Sequence, residues 1–440
     1  MDSARSARLG RIVVMARGWV CLLVWAMGGF GGWVGRAAET PAASMAAVRA
    51  SGLEFLDTSF ENASPLGHEV DPDGVIQLHL MYDHERASPN RAAGHLHFRI
   101  HARAGTTLRF EFRNLDNVWN GIPGSVAREF KAVVISEDGR EWRSVPTESL
   151  PGDRVRWTVT MPGPSLYVAR VEPYRLSDLD TFLAWAVRQP QVEVQGVGWT
   201  VQGRRLEILR IGRAEAPRRL FVRARAHPWE AGGNWVVEGL VRRLLAGDEE
   251  AAGFLRRYCV EVMPMANKDG VALGRTRFNL CGKDLNREWD RPADVALAPE
   301  NAALERWLSG RIQSGRRPHL ALDLHNDGRG LLHISRPQVP GLTGYLERMR
   351  TLERMLRAHT WFTEGSTEAE FRNPGSLGDG WLERFGIDAV VHEFNCHWVA
   401  GLEAAPTRRA WEDYGARLAR AIDAYFQAVT LPDAEVGTSR

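Results

Sequence analysis

The spacing of apolar residues changes once along this chain, and the change divides it in two. From about residue 51 to 172 the runs are short and alternate strictly. His95-Leu96-His97-Phe98-Arg99-Ile100-His101, Thr107-Leu108-Arg109-Phe110-Glu111-Phe112-Arg113 and Arg154-Val155-Arg156-Trp157-Thr158-Val159-Thr160 place apolar side chains at every second position. That is the period of a strand with one buried face. Asp71-Pro72-Asp73-Gly74, Asn120-Gly121-Ile122-Pro123-Gly124 and Glu137-Asp138-Gly139 supply turn residues between the runs. Half-buried strands at this spacing predict an all-β sandwich domain over 51–172.

At Pro173-Tyr174 the period becomes helical. Leu176, Leu179, Phe182, Leu183 and Ala186 fall on one stripe, with Ser177 or Asp178 placed to cap its start. Beyond it, continuous apolar runs at 206–211, 220–226, 258–263, 320–324 and 389–394 have the composition of buried strands. Helical patterns separate them. Asn234 is placed to cap a helix carrying Val236, Val237, Leu240, Leu244 and Leu245 and ending at Gly247. Pro299 opens another, with Leu304, Trp307, Leu308 and Ile312 on one face. A last helix, from about 408 to 429, aligns Trp411, Tyr414, Leu418, Ile422, Tyr425 and Phe426. The alternation predicts an α/β domain over 173–430: a mixed, largely parallel sheet with helices on both faces. Residues 431–440 read as a polar tail.

Charge adds one feature. The net charge of +2 hides an asymmetry, because residues 1–37 hold five Arg and one Asp, leaving the rest at about −2. No basic footprint for nucleic acid remains. Arg5, Arg8, Arg11 and Arg17 precede an apolar stretch at 18–34, followed by Gly35, Ala37 and Ala38. This is the pattern of a signal peptide over residues 1–37, hence of an exported protein, periplasmic or secreted. An uncleaved membrane anchor is the alternative, against which stand five glycines in the stretch. Past Cys21 the chain keeps Cys259, Cys281 and Cys396, an odd number that excludes a fully paired framework. Pairing of Cys259 with Cys281 stays open, as does the oligomeric state, and Cys396 is expected to be a buried, inert thiol.

The candidate chemistry gathers at strand ends, where open α/β sheets bind ligands. His227 and Glu230 follow one apolar run, His325 follows another, and Glu393 closes a third. Two His and one Glu form a zinc set with one position left open for chemistry. A capping Glu beside two satisfied surface histidines would give the same letters. Asp284 can accept the second N–H of a metal-bound His and so orient it. Asn286 and Arg287 can hold a carboxylate, and Arg277 can face an oxyanion, although a lone Arg is more often a surface ion partner. Glu393 stands among Val390, Val391 and Phe394, a desolvating setting that suits a general base. His95, His97 and His101, at even offsets with no acidic or Cys partner nearby, are expected to form a solvated strand face.

Together these residues resemble the zinc metallocarboxypeptidase family that includes the pancreatic carboxypeptidases, and within it the cytosolic-carboxypeptidase-like branch with an N-terminal β-domain. The likeness runs through Pro173-Tyr174 with Asp178-Leu179, Gly198-Trp199-Thr200-Val201-Gln202-Gly203-Arg204 and Ala224-Arg225-Ala226-His227-Pro228-Trp229-Glu230. It continues through Pro264-Met265-Ala266-Asn267-Lys268-Asp269-Gly270-Val271 and Gly282-Lys283-Asp284-Leu285-Asn286-Arg287-Glu288-Trp289. It implies a carboxypeptidase-like catalytic domain over 173–430 that takes one Zn2+ per chain on His227, Glu230 and His325. Asp284 would orient His227, and Asn286 with Arg287 would hold the terminal carboxylate of a peptide or protein. Arg277 would stabilise the oxyanion, and Glu393 would be the general base toward zinc-activated water. Membrane contact would come only through the N-terminal segment.

The sequence departs from the family in three places. Trp229 stands where Gly is usual, Lys268 where Pro is usual, and Glu370-Phe371-Arg372-Asn373 lacks the substrate-covering Tyr of the pancreatic enzymes. Asp379 aligns near the floor of their side-chain pocket, and Arg372 or Arg384 could instead make that pocket positive. Related alternatives are a zinc amidohydrolase acting on N-acyl amino acids or cell-wall peptides, and a binding protein with a relic site.

Overall fold

Alternating sequence becomes strand throughout the first region. The computed structural model describes residues 51–431 except 84, 87, 89 and 92, so the signal-peptide pattern and nearly all of the polar tail lie outside the described residues. In chain order the strands are β1 (Leu53–Asp57), β2 (Leu66–Val70), β3 (Val75–Leu80), β4 (His97–Ala102), β5 (Thr107–Phe112), β6 (Asp116–Trp119) and β7 (Ile122–Ser125). They continue as β8 (Ala132–Ser136), β9 (Arg143–Pro146), β10 (Glu148–Leu150), β11 (Arg154–Thr160) and β12 (Ser165–Ala169). Two five-stranded sheets form, ordered β1-β4-β12-β8-β9 and β10-β11-β5-β3-β2, and β6-β7 is a separate hairpin. Phe98 and Ile100 of the first sheet share one apolar core with Phe110, Phe112 and Trp157 of the second.

The expectation of a solvated histidine face on β4 is corrected here. His95 and His97 are buried, because the segment at 60–64 lies across that side of the strand. Ser64 Oγ donates to His95 O at 2.9 Å, and Phe60 packs edge-on against His97 at 4.9 Å. His95 Nε2 meets Asn62 O at 2.8 Å and His97 Nδ1 meets Asn62 Oδ1 at 3.2 Å. His101 stacks on Phe55.

The second region builds β13 (Val192–Trp199), β14 (Arg205–Ile211), β15 (Arg218–Ala224), β16 (Tyr258–Met263), β17 (Leu320–Asp327), β18 (Leu332–His333) and β19 (Asp388–Asn395). Its helices are α1 (Leu176–Ala186), α2 (Gly232–Leu244), α3 (Glu249–Arg257), α4 (Lys268–Ala272), α5 (Pro299–Gln313), α6 (Leu342–His359), α7 (Leu377–Phe385) and α8 (Arg408–Ala428). The seven strands form one mixed sheet, β13-β14-β16-β15-β17-β19-β18. Only the inner four, β16-β15-β17-β19, are parallel throughout. "Largely parallel" therefore describes the centre alone. β13 and β14 form a hairpin closed at Gly203 (φ 74), which must be antiparallel, and the two-residue β18 folds back on β19.

Side-chain alternation sends the sheet into two cores, as helices on both faces require. Leu220, Val222, Leu322 and Val390 join the core containing α2 and α8, whereas Phe221, Ala321 and Ala389 join the one containing α5 and α7. Pro299 opens α5 as the sequence indicates. Asn234 does not cap α2; it sits inside the first turn, buried, donating to Pro264 O at 2.6 Å and accepting from Arg225 at 3.0 Å. Cys259 and Cys281 are unpaired thiols, and burial pushes Cys259 up to about 12. No helix among the described residues is long and apolar enough to cross a membrane.

Candidate metal centre and active site

Directly after β15, Arg225 adopts φ 63, a conformation uncommon for a residue with a side chain. Its buried guanidinium holds it there, donating to Pro228 O, Asn234 Oδ1 and Tyr174 O at 2.8–3.1 Å. The turn so fixed presents His227 and Glu230 beside His325 of β17. Glu393 lies opposite His325 in the β17–β19 register.

Hydrogen bonds define what the two imidazoles can do. His227 Nε2 meets Asp284 Oδ1 at 3.0 Å, and His325 Nε2 meets Asp323 Oδ2 at 2.9 Å. A carboxylate accepts only, so each Nε2 carries the proton and a neutral ring has its lone pair on Nδ1. Those two Nδ1 atoms are 3.1 Å apart, and each lies 2.7 Å from one oxygen of Glu230. Four acceptor atoms thus face one another in a buried space. Only a cation, whether protons on the rings or a divalent ion, relieves that repulsion, and this donor set fits zinc. Burial opposes charge on His325, but Asp323 and Glu230 outweigh it and hold its ring well above the usual histidine range.

The orienting carboxylates are themselves anchored. Asp323 forms a fully buried two-point pair with Arg223 at 2.6–2.7 Å. Asp284 accepts from Arg277 Nε at 2.7 Å; burial works against its charge, yet Arg277 and His227 hold it well below the usual carboxylate range. Glu393 is placed differently. Its Oε2 is buried without a hydrogen-bond partner, and burial, followed by the neighbouring Asp327, pushes its carboxyl well above the usual range.

His227, Glu230 and Glu393 line a cavity of about 260 Å³ together with Arg277, Asn286 and Arg287, and His325 lies fully buried beside it. The structure therefore brings together His227, Glu230, His325, Arg277, Asn286, Arg287 and Glu393, with Asp284 just behind His227. Phe371, tilted against His333 with ring centroids 4.7 Å apart, occupies the wall where no Tyr was expected, and no tyrosine among the described residues lines the cavity. Trp229 sits at the rim: its Nε1 donates to Glu230 at 3.1 Å and its ring lies against Arg170. Gly94 permits this, since a Cβ there would meet the ring at 2.5 Å. Lys268 pairs with Glu207 in the interior. Asp379 lies buried in the first turn of α7 and is not among the lining residues. Arg384 faces Trp289 O, Arg291 O and Glu305, and Arg372 turns onto Ala369 O and Phe371 O.

Several lining or supporting residues were not anticipated. Asp323 could have been, because positions i and i+2 of a strand share a face and place it beside His325. Asp327 and His333 form a second group of possible ligands with Glu393. Asp83 accepts the backbone N–H groups of Thr276, Arg277 and Phe278, and so fixes the Arg277 loop from the β region. Trp119 and Asn120 enter the cavity from the β6–β7 hairpin. No periodicity marks these last three.

Residues 183–319 match the family described as zinc carboxypeptidase. That stretch is similar to the zinc carboxypeptidase family. It includes His227 and Glu230 but ends just before β17. An uncharacterised protein of Zymomonas mobilis is 31% identical over 161 residues, 36% of this chain and 41% of that protein. Cytosolic carboxypeptidase 6 of Caenorhabditis elegans is 37% identical over 102 residues, 22% of each. The chain thus spans less than half the length of either relative. A metallo-carboxypeptidase from Burkholderia cenocepacia superposes with a TM-score of 0.73 at 24% identity, covering 85% of this chain and 98% of that one. One from Pseudomonas aeruginosa gives 0.68 at 24% identity, covering 84% and 100%. These structures establish a carboxypeptidase-like fold that extends over the β-rich region as well as the zinc carboxypeptidase stretch.

Proposed function

We propose that this protein is a zinc-dependent metallocarboxypeptidase that removes C-terminal residues from peptides or proteins. One observation carries the reading: the lone pairs of His227, Glu230 and His325 converge beside Glu393, whose buried Oε2 has no hydrogen-bond partner. Zinc held by these three ligands would supply Lewis-acid polarisation of the scissile carbonyl and of the attacking water. Glu393, made more basic by burial and by Asp327, takes the proton from water and returns it to the departing amine. Arg277, steadied through Nε by Asp284, faces the developing oxyanion. Asn286 accepts from Leu377 N–H through Oδ1, which fixes the amide so that its NH2 is the end available to a substrate carboxylate. Arg287 completes that subsite.

Mass spectrometry of a mixed peptide library incubated with the zinc-loaded protein tests the proposal. C-terminal ladders are expected. Bound zinc without loss of any C-terminal residue would refute it.

The pattern of residues 1–37 supports an exported enzyme. N-terminal sequencing of the protein from producing cells should find a start near residue 38. An intact N-terminus in the membrane fraction would indicate an anchor instead.

A further inference from the structure

The sequence marks Asn120-Gly121 only as a turn, yet the structure places that turn in the active-site cavity. Trp119 pairs with Ile122 across it, and Asn120 and Gly121 have φ values of 50 and 80. Two successive positive φ values are those of a tight hairpin turn, for which Asn-Gly is the favoured pair.

The corner is held firmly. Asn120 N–H donates to Asn90 Oδ1 at 2.7 Å, and Asn90 Nδ2 reaches Asp284 Oδ2 at 3.3 Å. Arg91 and Val118 exchange backbone hydrogen bonds at 2.8 and 2.9 Å. The hairpin is thereby tied to the carboxylate that orients His227.

What it touches gives its role. The Trp119 ring lies 4.9 Å from the Arg277 guanidinium, and Asn120 Oδ1 accepts from Arg287 at 3.4 Å. These are the two arginines assigned above to the oxyanion and to the terminal carboxylate. We propose that the Trp119–Asn120 corner is the end wall of the cleft: it packs on both arginines, leaves space for one residue beyond the scissile bond, and presents the Asn120 amide to the carboxylate of that residue. The proposal rests on the carboxypeptidase reading and adds a specificity determinant from the β region. Asn120 is a substrate-binding residue in this account, and Trp119 a positioning residue acting through Arg277.

Two variants of the full-length protein test it, each assayed on one peptide with a free C-terminus and the same peptide with a C-terminal amide. Asn120→Asp retains a residue tolerant of positive φ but sets a carboxylate on Arg287. KM for the free peptide should rise about tenfold with kcat within about threefold. Trp119→Ala removes the wall, so released dipeptides or amidated residues should appear, neither of which the wild type produces. Zinc content and melting temperature are read for both. Should Trp119→Ala lose zinc, Asn120→Gly, which keeps the turn, takes its place and should also raise KM. Unchanged KM in Asn120→Asp together with single-residue release alone in the second variant would overturn the proposal. If the wild type trims peptides and the hairpin variants behave like it, only this inference fails. If the wild type trims nothing, the carboxypeptidase reading fails and the inference with it.

Discussion

Two pairs of buried histidines in this chain share their burial and differ in what their nitrogens face. His97 opens β4 and His95 lies two residues before it, and both lean on Asn62, a neutral partner. His227 sits in the turn after β15 and His325 in β17, and each gives its Nε2 proton to a buried aspartate. In the first pair burial dominates: His95 is pushed down to about 4 and His97 well below its ordinary value, so both stay neutral. In the second the aspartates fix the tautomer and turn two lone pairs toward Glu230. Burial alone makes a histidine structural; burial with a carboxylate behind one nitrogen and another acceptor facing the second makes it a candidate ligand.

The largest expected effect comes from Glu393, the carboxylate whose buried Oε2 has no hydrogen-bond partner. Glu393→Gln should cut kcat by about 10²–10⁴-fold, while zinc content stays at that of the wild type. Stopped zinc binding in that variant would place Glu393 among the ligands instead. Next come the orienting groups. Asp323→Asn and Asp284→Asn should each weaken zinc binding by about 10–100-fold, measured by competition with a chelator. If neither changes the affinity, the role of the anchored carboxylates is wrong.

How far such contrasts are visible before folding depends on locality. The run at 258–263 becomes β16 residue for residue, and Pro299 opens α5, because an apolar block and a helix-starting proline act on their own neighbours. His227 and Glu230 were legible for the same reason, lying three residues apart after a strand. The sheet's antiparallel edges were not, since β13 is a half-exposed edge strand and β18 only two residues long. α6 was also unmarked; Arg348, Arg350, Glu353, Arg354 and Arg357 crowd its sequence and blur the apolar stripe of Tyr345, Met349, Leu352 and Leu356. The burial of His95 and His97 depends on a segment more than thirty residues upstream. Trp119 and Asn120 reach their arginines across more than 150 residues, where no local pattern can speak.

The smallest expected effect concerns the structural pair. A folded His95 near 4 against an unfolded value near 6.5 means the unfolded chain takes up the proton first. Stability from this group is thus present above pH 6.5 and lost as pH falls toward 4, by about 3 kcal/mol at the end of that window. Urea unfolding of the zinc-free protein at pH 7.5 and 4.5 should show a larger drop in the wild type than in His95→Gln. An equal drop in both would mean that His95 does not carry this acid sensitivity.

Zinc counting separates the two pairs most directly. The wild type, His95→Gln and His227→Ala are each loaded, dialysed against metal-free buffer and analysed by mass spectrometry of the metal. One zinc per chain is expected in the wild type and in His95→Gln, and next to none in His227→Ala. Zinc that survives His227→Ala, or that disappears with His95→Gln, would contradict the placement of the metal centre at His227, Glu230 and His325.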